Sequence, residues 1–230
     1  MPDSQIANQE KEAAARAGIA FVHDRDVVGL GTGSTAAYAV RFLGERVSQG
    51  LKIRGIPTST ATRDLAVSLN IPLTNFDEVQ QIDVTLDGAD EFDPQLNLIK
   101  GGGGALLREK VVASASRKVI ILADASKQVE KLGKFPLPVE VIPFAQALIA
   151  KKITDLGAAV KVRTNKNNSV LVTDEGHHIL DCAFGQINDP AGLARRLSDM
   201  PGVVEHGLFI GMANVVLLAR GKEVTEIRRE

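Results

Sequence analysis

Cysteine is almost absent: Cys182 is the only one in 230 residues. That excludes an intramolecular disulfide framework and any cysteine-rich zinc module. An excess of one charge is missing too, with 27 Lys and Arg against 28 Asp and Glu, a formal charge of −1. Without a long basic run, neither nucleic acid nor an anionic membrane is expected as main partner. No apolar stretch approaches the ~20 residues of a membrane span. The first eighteen residues carry Asp3, Glu10 and Glu12 around no apolar segment, unlike a signal or transit peptide. The expected setting is a soluble, reducing compartment, most simply the cytoplasm. Tryptophan is absent and aromatics reach only 4%. Ala, Val, Ile, Leu and Gly are abundant instead, a mixture suited to buried parallel strands covered by helices. Hydrophobic residues at 44% and charged residues at 24% exclude disorder, collagen and coiled coil.

Short apolar runs alternate with helical patterns. Ser4 to Val22 reads as an amphipathic helix with Ile6, Ala13 and Ala17 on one side. Strands are expected at Val27 to Leu30, Ile53 to Ile56, Asp83 to Leu86 and Val119 to Ala123. Helices fall between them at Ala36 to Val47, Ala61 to Leu69 and Ala105 to Ala115. Repetition of strand, loop and helix predicts an α/β fold with a Rossmann-like, doubly wound, mostly parallel sheet. The rhythm breaks at Phe135-Pro136-Leu137-Pro138, where two prolines argue against a central strand and for a linker. Beyond it the pattern is strand (Val139 to Ile142), helix (Ala145 to Leu156) and two strands (Ser169 to Val172, His178 to Cys182) around a turn at Asp174-Glu175-Gly176. A helix (Pro190 to Met200) and a strand (Val203 to Leu208) follow, with Val160 to Val162 as a further edge candidate. This is a smaller, ferredoxin-like α+β domain. The expected division is 1–132 plus 209–230 for the Rossmann-like catalytic domain and 133–208 for the smaller one.

Gly31-Thr32-Gly33-Ser34-Thr35 follows an apolar strand and opens a helix, so its backbone N–H groups and three hydroxyls suit an anion. A plain strand-to-helix turn with a Ser or Thr cap would have the same look. Gly31, Gly33 and Ala36 also fit a dinucleotide fingerprint. The acidic residue due about 20 positions later is missing from Lys52-Ile53-Arg54-Gly55-Ile56, although Arg54 would suit a 2′-phosphate. Asp87-Gly88-Ala89-Asp90-Glu91 stands at the carboxyl end of a buried strand, where open α/β sheets bind ligands. Its three carboxylates could hold Mg²⁺ or form an ordinary acidic loop. Lys100 precedes Gly101-Gly102-Gly103-Gly104, a run whose unfolded-state entropy is hard to justify without close approach to a ligand. No Lys-Ser/Thr pair follows, so this is not a Walker A loop. Glu109 projects from the next helix either toward the same cleft or onto a solvated face. No histidine pair has zinc-ligand spacing, and no G-x-S-x-G elbow is present. Cys182 alternates with Leu180 on an apolar strand and reads as core.

These motifs, with Ala123-Asp124-Ala125-Ser126-Lys127, Phe135 through Pro143 and Pro201-Gly202-Val203-Val204, closely resemble the type A ribose-5-phosphate isomerase family in the same order along the chain. The resemblance implies interconversion of D-ribose 5-phosphate and D-ribulose 5-phosphate, in the non-oxidative pentose phosphate pathway, with neither metal nor organic cofactor. It implies a homodimer or a dimer of dimers. It also assigns substrate binding to Thr32, Gly33, Ser34 and Thr35, to Asp87, Gly88, Ala89 and Asp90, to Lys100, Gly101, Gly102 and Gly103, and to Lys127. The proton acceptor corresponds to Glu109.

Isomerisation through an enediolate asks for one base, which takes a carbon-bound proton and returns it to the neighbouring carbon. It also asks for fixed donors where oxyanion charge develops. Glu109 fits the first role, and Lys100 with the glycine-loop N–H groups fits the second. Asp87 would assist ring opening, with Asp90 orienting hydroxyls or supporting Lys100. Two rivals share the pocket chemistry: a sugar-phosphate-binding regulator and an NADP-dependent oxidoreductase. The first lacks a helix-turn-helix or basic recognition helix; the second is weakened by the missing acidic residue but kept open by Arg54, and nicotinamide absorbance changes or tight NADP binding would reveal it.

Overall fold

Apolar runs of four to six residues, each stopped by glycine, proline or aspartate, become the strands of the chain in a computed structural model that describes residues 2–229. The first stretch gives α1 (Pro2–Gly18), β1 (Val27–Leu30), α2 (Ser34–Ser48), β2 (Arg54–Pro57), α3 (Thr60–Ser68) and β3 (Val84–Gly88). Two short strands follow, β4 (Glu91–Phe92) and β5 (Leu98–Ile99), then α4 (Leu106–Ser114) and β6 (Val119–Asp124). Next come β7 (Leu137–Val141), α5 (Gln146–Asp155), β8 (Ala159–Val162), β9 (His178–Ala183), α6 (Pro190–Ser198), β10 (Val203–His206) and β11 (Leu208–Phe209). β12 (Val215–Arg220) and β13 (Glu223–Arg228) end the chain. No helix among the described residues is long and apolar enough to cross a membrane.

Two compact units result. The first holds residues up to Ala89, Arg108–Gln128 and those from Met212 onward; the second holds Asp90–Leu107 and Val129–Gly211. Residues 90–107, grouped with the first domain by sequence, thus lie in the second unit.

The first unit is a six-stranded sheet in the order β13-β12-β6-β3-β1-β2, parallel except for β13. Strand order reverses between β1 and β3, the kind of point where such sheets bind ligands. One face is covered by α1 and α2, whose Ala14, Ala15, Val40 and Leu43 pack on Val28, Leu30, Leu86 and Leu122. The other takes Val112 of α4 against Val27, Ile56 and Ile82. The buried side of α1 differs from the sequence pattern, since Ile6 is exposed and Glu10 is buried. Glu10 is tolerated there because its carboxylate accepts the N–H groups of Ala125 (3.2 Å) and Gly221 (2.8 Å), which satisfies an otherwise costly buried charge.

In the second unit β7, β8, β9 and β10 form an antiparallel sheet in the order β10-β7-β9-β8. With α5 after β7 and α6 after β9, this is the ferredoxin-like arrangement. Its helices cover one face, where Ile149, Ile153 and Leu197 meet Val139, Leu180 and Cys182. A small three-stranded sheet, β11-β5-β4, accompanies it. Two sequence expectations fail here. Pro138 lies inside a central strand rather than a linker. Its carbonyl accepts from Gly207 N–H, past the end of β10 at His206, so the ring costs no ladder donor. The second strand is Ala159–Val162, not Ser169 to Val172, which makes only isolated bridges at Val170 and Val172. The last predicted strand, Val203 to Leu208, splits at Gly207, where a Cβ would lie 2.8 Å from Pro138 Cδ. Cys182 is core: burial first, then the Asp181 charge, push its thiol up to about 12, so it stays protonated and unreactive at neutral pH.

Candidate active site

In the first unit the predicted residues gather on the carboxyl edge of the sheet. Leu30 pairs with Leu86 and Gly88 with Leu122, so the loops leaving β1, β3 and β6 stand side by side. The β1 loop carries Thr32, Gly33, Ser34 and Thr35; the end of β3 carries Asp87, Gly88 and Ala89; and a 3₁₀ turn after β6 carries Lys127. Asp87 is 2% exposed. Its Oδ1 accepts the N–H groups of Gly88 (2.7 Å) and Thr32 (3.2 Å), which fixes the carboxylate at the strand end. Gly31 makes this possible. A Cβ there would lie 2.2 Å from Asp87 Oδ1 and 2.6 Å from Asp87 Cα. Gly33 serves differently: nothing crowds a Cβ, but its φ of +103° turns the chain into α2, whose first turn has the free N–H groups that can receive an anion.

The Thr32 hydroxyl is not presented as a loose donor. It lies 2.7 Å from Thr58 Oγ1, 2.9 Å from Ser59 Oγ and 3.1 Å from Thr62 Oγ1. Thr58 and Thr62 in turn donate to the carbonyls of Leu30 and Gly31. The end of β2 and the N-cap of α3 therefore brace the loop, a function that the hydroxyl-rich run Thr58-Ser59-Thr60-Ala61-Thr62 could have signalled. The same geometry disfavours NADP. Arg54 pairs with Val27 at the amino edge of the sheet, opposite the edge where a ribose phosphate would sit.

Glu109 lies in the first turn of α4. The carbonyl of Ala115, just past the helix end, accepts from Ile82 N–H before β3, so the helix start points to the carboxyl edge. Val112 fixes the height of the helix, since a Cβ on Gly29 would fall 2.7 Å from its Cγ1. One turn back, Glu109 reaches the level of Gly31 and Asp87. It is 4% exposed, which rules out the solvated-face alternative. A carboxylate kept in a buried face is costly.

The second unit holds Asp90 and the glycine loop. Lys100 is 4% exposed, with its N–H donating to Gly207 O and its Nζ 5.5 Å from the centre of the Phe209 ring. Asp90 Oδ2 accepts Gly102 N–H at 2.7 Å, and a Cβ on Gly102 would fall 2.5 Å from Oδ1. The loop lies over the face of the small sheet that α5 and α6 leave uncovered. A Cβ on Gly101 would be 3.3 Å from Pro138 Cβ, and one on Gly104 3.7 Å from Ile179 Cδ1. Glu91 leaves the acidic cluster: its carboxylate accepts Gly133 N–H at 2.7 Å and Phe135 N–H, anchoring a loop. Among the described residues, no three His, Cys, Asp or Glu side chains are grouped to hold a metal ion.

Residues 54–223 match the family model for ribose 5-phosphate isomerase A (phosphoriboisomerase A). The chain belongs to that family. It is 52% identical to ribose-5-phosphate isomerase A of Bradyrhizobium diazoefficiens, over 96% of this chain and 95% of that one. It is 53% identical to that of Nitrobacter hamburgensis, over 96% and 97%. Among solved structures, a D-ribose-5-phosphate isomerase in complex with phospho-erythronic acid superposes with a TM-score of 0.94 at 39% identity, covering 97% of this chain and 99% of that one. The isomerase of Methanocaldococcus jannaschii gives 0.91 at 39% identity, over 95% and 98%. Likeness over the whole length, at the level of fold as well as sequence, makes the chain an isomerase of this family rather than a regulator.

Proposed function

We propose that the chain isomerises D-ribose 5-phosphate and D-ribulose 5-phosphate with Glu109 as its single base. The activity itself follows from family membership: the protein is an aldose–ketose isomerase acting on these pentose phosphates. The observation that carries the assignment to Glu109 is a carboxylate 4% exposed at the start of α4, the helix end that points to the carboxyl edge of the sheet. In the aldose direction Glu109 removes the proton on C2, and the electron pair forms the enediolate. The same carboxyl group then delivers a proton to C1, while a proton passes from O2 to O1. Lys100 and the glycine-loop amides stabilise the oxyanion, because a buried cation acts through a low local dielectric. Asp87 assists ring opening and Asp90 orients hydroxyls or supports Lys100. Thr32 to Thr35, Gly88 and Ala89, Gly101 to Gly103 and Lys127 contribute the remaining substrate contacts. The phosphate is not transformed, so its binding energy positions the carbon chain. The phospho-erythronic acid bound by the 39%-identical relative supports this reading. Its carboxylate places negatively charged oxygen on a planar carbon at the end of a phosphorylated chain, where the planar, anionic enediolate would form.

Proton exchange tests the route. In heavy water, metal-free protein is expected to form ketose while deuterium enters at C1, and at C2 on reversal. Activity is expected to survive exhaustive chelation. Ketose formation with no solvent exchange and at an undiminished rate in Glu109→Gln would indicate hydride transfer, and loss under chelation restored by Mg²⁺ would replace the proposed scheme with a metal-assisted one.

We further propose assembly as a homodimer, alone or as a dimer of dimers. Phe144 is 98% exposed, and Ile142, Leu148 and Val172 are exposed beside it. Val141 and Val172 both pair with His178, which brings these residues to one end of the small sheet. A cluster of this kind suits a second copy. Sedimentation equilibrium is expected to give twice or four times 24.5 kDa, and Phe144→Asp to shift the balance to monomer. A wild-type monomer at micromolar concentration would end the proposal.

A further inference from the structure

A run of four glycines has more backbone freedom than any other four residues, and a substrate-binding loop built from them needs external restraint. On one side the restraint is Asp90, which accepts Gly102 N–H at 2.7 Å. On the other side the loop borders an open cleft of about 480 Å³, lined by Phe135, Pro136, Lys161 and Arg163 as well as Gly102. From that side a guanidinium reaches the loop. Arg163 Nη1 donates to the carbonyls of Gly101 (2.7 Å) and Gly102 (3.2 Å).

Arg163 is itself held firmly. Its Nε donates to Asp181 Oδ2 at 3.0 Å and its Nη2 to Oδ1, a two-point fork that fixes the guanidinium plane. Val162 pairs with Leu180, so Arg163 and Asp181 sit diagonally on one face of neighbouring strands. The Arg163 backbone continues the ladder: its N–H donates to Ile179 O, and its carbonyl accepts Leu171 N–H. The pair is sheltered, at 12% and 28% side-chain exposure.

We propose that Arg163, oriented by Asp181, is a positioning residue that fixes the Gly101–Gly102 segment in its substrate-binding form. It touches no reacting atom. It sets where the loop amides and the adjoining Lys100 stand, so the proposal rests on the reading of this loop as part of the isomerase site. Arg163 is suited to this task in a way lysine is not, because only a planar fork can bind the Asp181 carboxylate with two donors and still present a third to the loop.

The test compares wild type, Arg163→Ala, Arg163→Lys, Asp181→Asn and the Arg163→Ala/Asp181→Asn pair in steady-state isomerisation, with phospho-erythronic acid as an inhibitor. A misplaced binding loop is expected to lower kcat/KM by ~10²-fold in Arg163→Ala. KM and the inhibitor constant should rise together with the fall in kcat. Arg163→Lys is expected to recover part of that loss, and Asp181→Asn to add little once Arg163 is gone. Guanidinium ion at millimolar concentration should partly restore Arg163→Ala, because the adjoining cleft admits it. A kcat/KM within threefold of wild type in Arg163→Ala or Arg163→Lys would overturn the proposal. So would a loss confined to kcat, in step with the folded fraction and with inhibitor affinity unchanged. An inactive wild type would overturn the isomerase reading and this proposal together, whereas an active wild type with an indifferent Arg163 overturns the clamp alone.

Discussion

Glu109→Gln is expected to lower kcat by ~10²–10⁴-fold, the range in which one positioned general base contributes. At tenfold for every 1.36 kcal/mol, that is about 3–5 kcal/mol of transition-state stabilisation. Glutamine has the volume and reach of glutamate, so the packing around Leu106 and Val112 on the buried face of α4 is preserved. What it lacks is an oxygen able to take a proton from carbon. KM should therefore stay within a few-fold, because the interaction lost is one made in the transition state. Solvent deuterium incorporation at C1 and C2 should fall in parallel with turnover, since both depend on the same proton transfer. Glu109→Asp would keep the base but withdraw it by one methylene, and an intermediate rate is expected. Turnover of Glu109→Gln within tenfold of wild type would remove this residue from the role and turn attention to Asp87.

Glu109 also shows where reading a sequence stops. Its neighbours place it in a helix, and the resemblance to a family gives it a role, but periodicity alone leaves it equally at home in solvent. Burial decided the matter, and burial depends on Val112 settling against Gly29, a contact 83 residues apart in the chain. The large sheet was legible because strands such as Val27–Leu30 and Val119–Asp124 are buried throughout and read as unbroken apolar runs. The small sheet was less so. Ala159–Val162 is an edge strand with Lys161 exposed, and its pattern is weaker than that of Ser169 to Val172, which only bridges. Two-residue strands such as Glu91–Phe92 and Leu98–Ile99 are too short for any period to show. Pro138 misled because a proline is compatible with a central strand only where the neighbouring strand has already ended, and Gly207 marks that end. The Arg163–Asp181 pair was invisible for a related reason, since its partners meet only after β8 and β9 have found their register. Loops after strand ends, by contrast, could be located from glycine and aspartate alone.

Gly31→Ala is expected to damage the site out of proportion to its single methyl group. The added carbon would lie 2.2 Å from Asp87 Oδ1, 2.4 Å from its carboxyl carbon and 2.6 Å from its Cα. A side-chain rotation could relieve the first two contacts but not the third, which is backbone. Either the β1 loop or the end of β3 must move, and both are tied: Gly31 N–H donates to Leu86 O at 3.0 Å, and Thr62 Oγ1 donates to Gly31 O at 3.0 Å. Overpacking of this sort typically costs ~1–3 kcal/mol of stability. The functional cost should be larger, because the displaced groups are Asp87 and the turn that opens α2. A displacement of ~1 Å at such a site can lower the rate ~10²-fold. Here the carboxylate proposed to assist ring opening and the helix terminus proposed to hold substrate shift at once, so kcat/KM should fall by at least that factor while the protein stays folded at 25 °C. A chemical denaturation curve run beside the kinetics separates the two effects. Gly33→Ala provides the contrast: no atom lies within 4 Å of its Cβ, and its penalty comes from φ alone. If Gly31→Ala kept wild-type kcat/KM, the close approach of β1 and β3 would not be what holds Asp87 in its working place.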